Sequence, residues 1–277
     1  AALGCYLLAE RAVRRTDINV VLPVLAAERR DGGTSAMITV RKPEEIYQAR
    51  GTIQNGTFEG RWHFSFDTYR DPAYIHFGSL RVFNDDTLSP GAVWPLHPHR
   101  EIEVVTYCAA GEFRHADQGG AGGVLKKGWV QHTTVGTGML HSEINNLPDE
   151  SMRFIQMWFL PSHRGLEPSV EQRAVERPER TNRIVRLVAS QDGDALPIRA
   201  PAEVWSSFLE AGRSVEHRPS PGHGIYLYIV EGGPVHVNGE EVPALGAAKV
   251  VDEPSLRIDA EGDAELLLVD VGPVSAA

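Results

Sequence analysis

The most informative stretch of this 277-residue chain is Gly91-Ala92-Val93-Trp94-Pro95-Leu96-His97-Pro98-His99. Its two histidines are separated by one residue, and in an extended strand this spacing points both imidazoles to the same face. Forty-two residues after His99, His141-Ser142-Glu143 supplies a second same-face pair, an imidazole and a carboxylate. Two strands that cross a barrel interior would bring the pairs together. The sequence therefore predicts that His97, His99, His141 and Glu143 bind one divalent transition metal inside an all-β barrel.

The donor set restricts the metal but does not choose it. Three imidazole nitrogens and one carboxylate oxygen suit Fe(II), Mn, Co, Ni, Cu(II) or Zn, because affinity follows the Irving–Williams order rather than function. Four protein ligands leave open positions on an octahedral metal for a substrate or O2, whereas a closed structural zinc site would normally use cysteine. One His-x-His pair arises by chance in a sequence with 11 histidines. A second pair behind Gly136-Thr137-Gly138 favours a metal site over coincidence.

The rest of the sequence is typical of an all-β protein. From Ile38 onward it consists of short alternating or apolar runs separated by Gly, Pro, Asn and Asp. Strands at this density predict a sandwich or barrel. The clearest strands are expected at 75–83, 103–107, 154–160, 183–188, 225–230 and 265–269, with turns at 84–86, 117–123, 237–240 and 261–263.

A change in composition divides the chain into two halves. A stretch rich in proline and charge at 162–183 interrupts the strand pattern and predicts a crossover or linker. We expect a peripheral N-terminal extension at 1–36, an N-terminal metal-binding barrel at 37–165, and a linker with a C-terminal barrel at 166–277. The second half repeats the style of the first without counterparts of the four candidate ligands. Only the first barrel is therefore expected to hold metal.

Charge and cysteine content exclude several classes of function. The formal net charge of −10, without a cluster of Lys and Arg, argues against a direct nucleic-acid surface. Only two cysteines occur, Cys5 and Cys108, so a disulfide framework is not expected and a reducing compartment, the cytoplasm, fits best. The absence of a long uncharged apolar run excludes a transmembrane helix.

The metal-site residues also belong to a longer pattern. It covers about residues 37 to 275 and weakens in the second half. Its motifs are Trp62-His63-Phe64-Ser65-Phe66, Asp71-Pro72, the run 80–86, His97-Pro98-His99-Arg100, Thr106-Tyr107, Gly111-Glu112, His115, Asp117, Gly128, the run 136–143, Gln156-Met157-Trp158 and Glu171-Gln172-Arg173. On these motifs the chain resembles the pirin family of the cupin superfamily.

The resemblance implies a bicupin, two β-barrels face to face, with Fe(II) in the N-terminal barrel. The ligands it implies agree with the four residues chosen from their spacing. The general cupin pattern would take Glu103 as the carboxylate ligand, whereas the pirin pattern takes Glu143. We follow the pirin pattern and expect Glu103 to be a partner of the ligands or a structural residue.

Other residues receive less specific roles. The family usually has a large apolar residue at the position of His132, and we expect this histidine at the surface, with a hydrogen bond to the site as the alternative. His115 fits a His-x-Asp turn of the family and is expected to be structural. Cys108 is expected to be a small buried hydrophobe. Four aromatic residues could line a pocket, although strand aromatics are more often core: Phe64, Phe66, Phe83 and Trp158.

The resemblance implies a quercetin 2,3-dioxygenase, which opens a flavonol ring with O2 and releases carbon monoxide. Glu143 would take the proton of the 3-hydroxyl as general base, with the metal as Lewis acid. The alternative is a non-enzymatic, metal-dependent regulatory module that binds a protein partner, which the acidic charge favours over DNA. A third interpretation is a metal-binding barrel whose natural substrate is another enolisable or phenolic small molecule.

Overall fold

The computed structural model describes residues 37–190 and 193–274. The predicted extension at 1–36, together with Cys5, lies outside the described residues. Strands dominate the described part, and the helices there are short: a 3-10 helix at Pro43–Glu45 and helix α1 at Arg177–Arg180. Neither of them, nor any other helix in the described ranges, is long and apolar enough to cross a membrane.

Twenty-two strands follow one another in the described ranges. In the first half they are β1 (Met37–Arg41), β2 (Tyr47–Ile53), β3 (Gly56–Trp62), β4 (Leu80–Leu88), β5 (Val93–His99), β6 (Glu103–Ala110), β7 (Glu112–Asp117), β8 (Gly122–Lys126), β9 (Val130–Thr134), β10 (Met139–Asn145), β11 (Met152–Phe159) and β12 (Ser169–Arg173). In the second half they are β13 (Val185–Ala189), β14 (Leu196–Pro197), β15 (Ala202–Leu209), β16 (Ser214–His217), β17 (Gly224–Gly232), β18 (Val235–Val237), β19 (Glu240–Val242), β20 (Ala247–Val251), β21 (Leu256–Ala260) and β22 (Ala264–Val271).

Each half is a sandwich of a seven-stranded and a four-stranded sheet. In the first half the strand orders are β12-β9-β6-β11-β4-β3-β2 and β5-β10-β7-β8. In the second half they are β1-β20-β17-β22-β15-β13-β14 and β16-β21-β18-β19. The sheets of one half are not joined into a closed barrel, and their arrangement is that of a jelly roll. The prediction of an all-β bicupin is confirmed.

The two halves exchange strands across the expected boundaries. β1 pairs antiparallel with β20 of the second half, and β12 pairs antiparallel with β9 of the first half. The stretch expected to be a linker thus contains both a strand and helix α1. The division into 37–165 and 166–277 stays a prediction. The structure adds that each part contributes one strand to a sheet of the other part.

The two large sheets pack face to face over one apolar core. Residues of both halves form it, among them Phe83, Met157, Tyr226 and Leu267. Buried hydroxyls reach polar partners across the interface: Tyr228 donates to Asp85 at 2.5 Å, and the Tyr226 hydroxyl lies 2.7 Å from His63 Nδ1. A buried polar group is costly without such a partner. These pairs therefore fix how one half sits on the other.

The turn expected at 84–86 is wrong, because these residues lie in the middle of β4 and are buried. Their side chains have partners that compensate for burial. Arg153 donates two hydrogen bonds of 2.7 Å to Asp85, and Trp62 donates one of 3.0 Å to Asp86. Tertiary partners override the preference of Asn and Asp for turns, which arises from local hydrogen bonding.

Candidate metal centre

The candidate ligands meet because β5 and β10 are neighbouring antiparallel strands. His141 lies directly opposite His97 in the register. β5 is the outer strand of its sheet, so it tolerates Pro95 and Pro98, which cannot donate a backbone hydrogen bond. The burial of β5 alternates at its end: His97 and His99 are buried, whereas Leu96 and Pro98, which precede them, are exposed. The same-face prediction for the two histidines is thereby confirmed.

Three imidazoles converge on one point inside the first half. One ring nitrogen from each of His97, His99 and His141 lies within 4.8 Å of the other two. The Nε2 atoms of His97 and His141 are 3.1 Å apart. Burial lowers the pKa of all three, to about 3 for His99. The rings are therefore neutral at physiological pH, the state in which imidazole binds a metal.

Hydrogen bonds at Nδ1 of His97 and His141 indicate which ring nitrogen faces the cluster with its lone pair. His97 Nδ1 lies 2.7 Å from the carbonyl oxygen of Pro95, an acceptor, so it carries the proton and leaves Nε2 with a lone pair. His141 Nδ1 lies 2.9 Å from Nε2 of His115. His115 is buried, and its own pKa is lowered to about 4 by burial. The expected structural role of His115 becomes specific, because His115 contacts His141, a candidate ligand.

Glu143 stands beside this group rather than within it. The group of mutually close donor atoms contains the three histidines and not this carboxylate. The register shifts between His141 and Glu143, which pairs with Trp94 on β5. Its side chain is buried, its Oε1 accepts a hydrogen bond from Gln156 Nε2, and burial raises its pKa to about 7. Its roles as metal ligand and as base stay predictions.

A second buried carboxyl shares the interior with Glu143. The pKa of Asp86 is raised to about 8, chiefly by burial, which outweighs the lowering effect of a hydrogen bond from Trp62; the charges of Asp85 and Glu143 contribute in the same direction as burial. At neutral pH Asp86 is therefore mostly protonated. The interior thus contains a carboxyl that can donate a proton as well as one that can accept it.

The residues fit a divalent transition metal. Two Nε2 atoms that face each other at 3.1 Å, with a third nitrogen close by, form a cluster of acceptors that one cation would bind. Neutral imidazoles and a carboxylate are the donors such an ion takes. In the described part of the chain this is the single group of three His, Cys, Asp or Glu side chains so arranged.

An apolar wall adjoins the three histidines. The ring centroids of His99 and Trp158 are 4.7 Å apart, and those of Trp158 and Phe66 are 5.4 Å apart. The same cluster includes Val82, Val104, Val135 and Met139. Phe64 and Phe83, the other two aromatic candidates, are fully buried in the core between the halves. Two of the four aromatics thus lie near the site and two are core.

The expectation for His132 is wrong. This histidine is only 1% exposed, and its Nε2 lies 2.8 Å from Glu103 Oε2. The same oxygen accepts hydrogen bonds from Thr134 and from the backbone N–H of Arg199 in the second half. Glu103 is therefore a structural residue at the junction of the halves. Cys108 is a buried hydrophobe as expected, and burial raises its pKa to about 12.

Sequence reasoning missed two residues of the interior. The sequence motif Gln156-Met157-Trp158 gives Gln156 no role, and the sequence predicts Asp86 in a turn. The alternation of β11 could have placed Gln156 on the same face as Trp158, two residues away. No local signal could have placed Asp86 there, because its burial depends on β3 and Trp62.

Comparisons with known proteins cover most of the chain. Residues 45–159 match the profile of the Pirin family, and residues 187–271 match that of the quercetinase C-terminal cupin domain. A Pseudomonas aeruginosa protein named provisionally as a quercetin 2,3-dioxygenase is 40% identical, across 80% of this chain and 95% of its own length. A protein of Escherichia coli K12 named quercetin 2,3-dioxygenase is 31% identical, across 86% of this chain and all of its own.

A solved structure is similar in fold as well as in sequence. The crystal structure of bacterial pirin YhhW in complex with nickel(II), from Escherichia coli, superposes with a TM-score of 0.77 at 30% identity. The match covers 86% of this chain and all of that one.

Proposed function

This chain belongs to the pirin family, and from that premise we propose that it is a metal-dependent dioxygenase that opens the ring of a flavonol such as quercetin with O2. Two relatives bear the name of this activity, one of them provisionally. One observation carries the proposal: three neutral imidazoles converge beside a buried carboxyl and an apolar wall.

A divalent transition metal is supported by the histidine cluster and by the nickel(II) bound to a structural neighbour. We propose His97, His99 and His141 as its ligands, with Glu143 as the fourth. Iron(II) is the metal we expect in the cell, with Mn, Co, Ni, Cu or Zn as alternatives. Bound there, the metal supplies Lewis-acid polarisation of a hydroxyl oxygen and redox chemistry with O2.

The residues of the chain supply the other parts of the reaction. The apolar wall of Trp158, Phe66 and Met139 packs against the rings of the flavonol and excludes water from them. Glu143, with its pKa raised to about 7, takes the proton of the 3-hydroxyl as general base. The resulting flavonolate is the electron-rich species that reacts with O2, after which the ring opens and carbon monoxide leaves.

The direct test is reconstitution of the purified protein with each of Fe(II), Mn, Co, Ni and Cu. Loss of the near-ultraviolet band of quercetin, together with O2 consumption and CO release, is the expected result. No turnover with any metal would refute the enzyme. A pull-down of a protein partner that depends on the metal would then support the alternative, a regulatory module, and turnover of another enolisable phenol would keep the enzyme and change its substrate.

The role of Glu143 has its own test. In Glu143→Gln the amide keeps the shape of the side chain but cannot accept the proton. If Glu143 is the base, the turnover rate should fall more than metal occupancy does. Equal loss of both would make Glu143 a ligand and no more.

A further inference from the structure

Gln156 and Trp158 form one continuous arrangement on β11. They lie two residues apart, so both point to the same face of the strand, towards the interior of the first half. They are 9% and 8% exposed. Trp158 Nε1 donates a hydrogen bond of 2.7 Å to Gln156 Oε1, and Gln156 Nε2 donates to Glu143 Oε1. We call these two residues the β11 brace.

The chemistry of the donors fixes the direction of this chain. An indole N–H can only donate, so the atom of Gln156 that faces Trp158 must be its carbonyl oxygen. The amide N–H2 group is then turned towards Glu143, and the usual ambiguity between amide oxygen and nitrogen does not arise here. Glu143 receives this donor at Oε1, and none of the hydrogen bonds among the described residues involves its Oε2. Trp158 thus sets the orientation of Gln156, and Gln156 sets that of the carboxylate.

The other side of the brace contacts the histidines. The Trp158 ring lies against the ring of His99 at 4.7 Å between centroids, with an angle of 72° between their planes. Strand β11 therefore contacts one member of each candidate ligand pair. It packs against His99 and donates a hydrogen bond to Glu143. Neither contact comes from β5 or β10, the strands that bear the ligands.

We propose that the β11 brace positions Glu143 for the metal, with Gln156 and Trp158 as positioning residues outside the ligand set. This inference rests on the proposed metal centre, but not on the substrate. A merely structural role predicts a different outcome: loss of a buried amide would lower the stability of the fold and leave the coordination of a bound metal unchanged.

The test uses Gln156→Met, which keeps the length of the side chain and removes its donor and acceptor. Co(II) is the probe, because its visible spectrum reports the geometry of its ligands. We expect the affinity for Co(II) to fall 10–100-fold, the range typical of residues that orient ligands, and the spectrum to change. Chelator competition measures the affinity.

The matched control is Gln131→Met. Gln131 is also a buried amide of the same large sheet, 2% exposed, but its hydrogen bonds are to Thr133 and Gln172 and not to Glu143. The Gln131→Met variant should bind Co(II) with the affinity of the wild type and give the same spectrum. Thermal unfolding of both metal-free variants separates a loss of fold from a loss of coordination.

Two further variants keep the test decisive. Trp158→Phe retains an aromatic ring near His99 and removes the N–H together with part of the indole, so it should change the spectrum in the same direction. In a Glu143→Gln background, Gln156→Met should add little, because the two changes act on one interaction.

An unchanged Co(II) affinity and spectrum in folded Gln156→Met, or in Trp158→Phe if the first does not fold, would overturn the brace. No readout involves a flavonol or O2, so a failed turnover assay leaves this inference intact. If the wild type binds no Co(II), both the brace and the proposed metal centre are wrong.

Discussion

His115 Nε2 lies 2.9 Å from His141 Nδ1, so two buried imidazoles are joined by a hydrogen bond. The bond uses the nitrogen of His141 that does not face the other two candidate ligands. A metal needs the lone pair of His141 Nε2, and the neutral ring then carries its proton on Nδ1, which donates to His115. Such a hydrogen bond fixes both the tautomer and the orientation of a histidine ligand. His115 is placed for this by β7, in which it pairs with Glu143 of β10.

The first prediction is that His115→Phe weakens metal binding 10–100-fold, because the ring keeps its volume and loses the acceptor. His115→Gln, which offers an amide oxygen, should recover part of the affinity. Titration of Ni(II) against a chromophoric chelator measures both. If the Phe variant binds Ni(II) as tightly as the wild type, His115 has no role in orienting His141.

The second prediction concerns pH and Asp86, whose pKa is raised to about 8 in the folded state from an ordinary value of 3.8. Between these values the folded chain holds a proton that the unfolded chain has lost. Stability is therefore full below about pH 4 and falls as the pH rises towards 8. Asp86→Asn, which still accepts from Trp62, should remove this loss.

We expect metal-free Asp86→Asn to be more stable than the wild type at pH 8–9, by at least about 1 kcal/mol or roughly 2–4 °C in Tm, and the difference to shrink or reverse at pH 5. Thermal unfolding across this pH range is the measurement. Asp149→Asn, at an exposed position, should follow the wild type at every pH. A constant difference between pH 5 and 9 would contradict the protonated carboxyl.

The third prediction uses metal removal to test which half of the chain binds the metal. A ligand at 100 times its Kd stabilises the folded state by about 2.7 kcal/mol, so a chelator should lower the Tm of the metal-loaded protein by several degrees. His99→Ala should abolish this shift. His217→Ala, which removes a buried histidine of the second half, should retain it. Loss of the shift in His217→Ala would contradict the prediction that only the first half holds metal.

The fourth prediction concerns a buried charged pair of the second half, which lies next to Tyr107 of the first half. Arg180 Nη2 lies 3.3 Å from Glu265 Oε2, and both side chains are at most 2% exposed. Tyr107 also donates to Glu265 at 2.5 Å. Arg180→Met leaves the carboxylate buried without its closest cation and should cost about 3–5 kcal/mol.

Urea unfolding of Arg180→Met measures this loss. Arg257→Met breaks the exposed pair with Asp259 and should leave the midpoint close to that of the wild type. Equal midpoints for the two variants would mean that the buried pair contributes nothing specific to the stability of the fold.

The sequence by itself determined the all-β fold and the same-face histidines, because alternation along a strand is a local property. His97 and His99 are two residues apart, and no tertiary contact is needed to place them on one face. His141 could be matched to them because its pair has the same spacing. The long motif then supplied the family, which spacing alone could not.

Which groups surround these candidate ligands could be seen only in the folded protein. Asp86 looked like part of a turn and His132 like a surface residue, yet both are buried on partners 24 and 29 residues away in sequence. Gln156 acquires its role from Trp158 on one side and Glu143 on the other. Burial and hydrogen-bond partners depend on which strands become neighbours, and strand neighbours are set by packing over the whole sheet. For that reason the candidate ligand pairs could be predicted from the sequence, and the groups that hydrogen-bond to them could not.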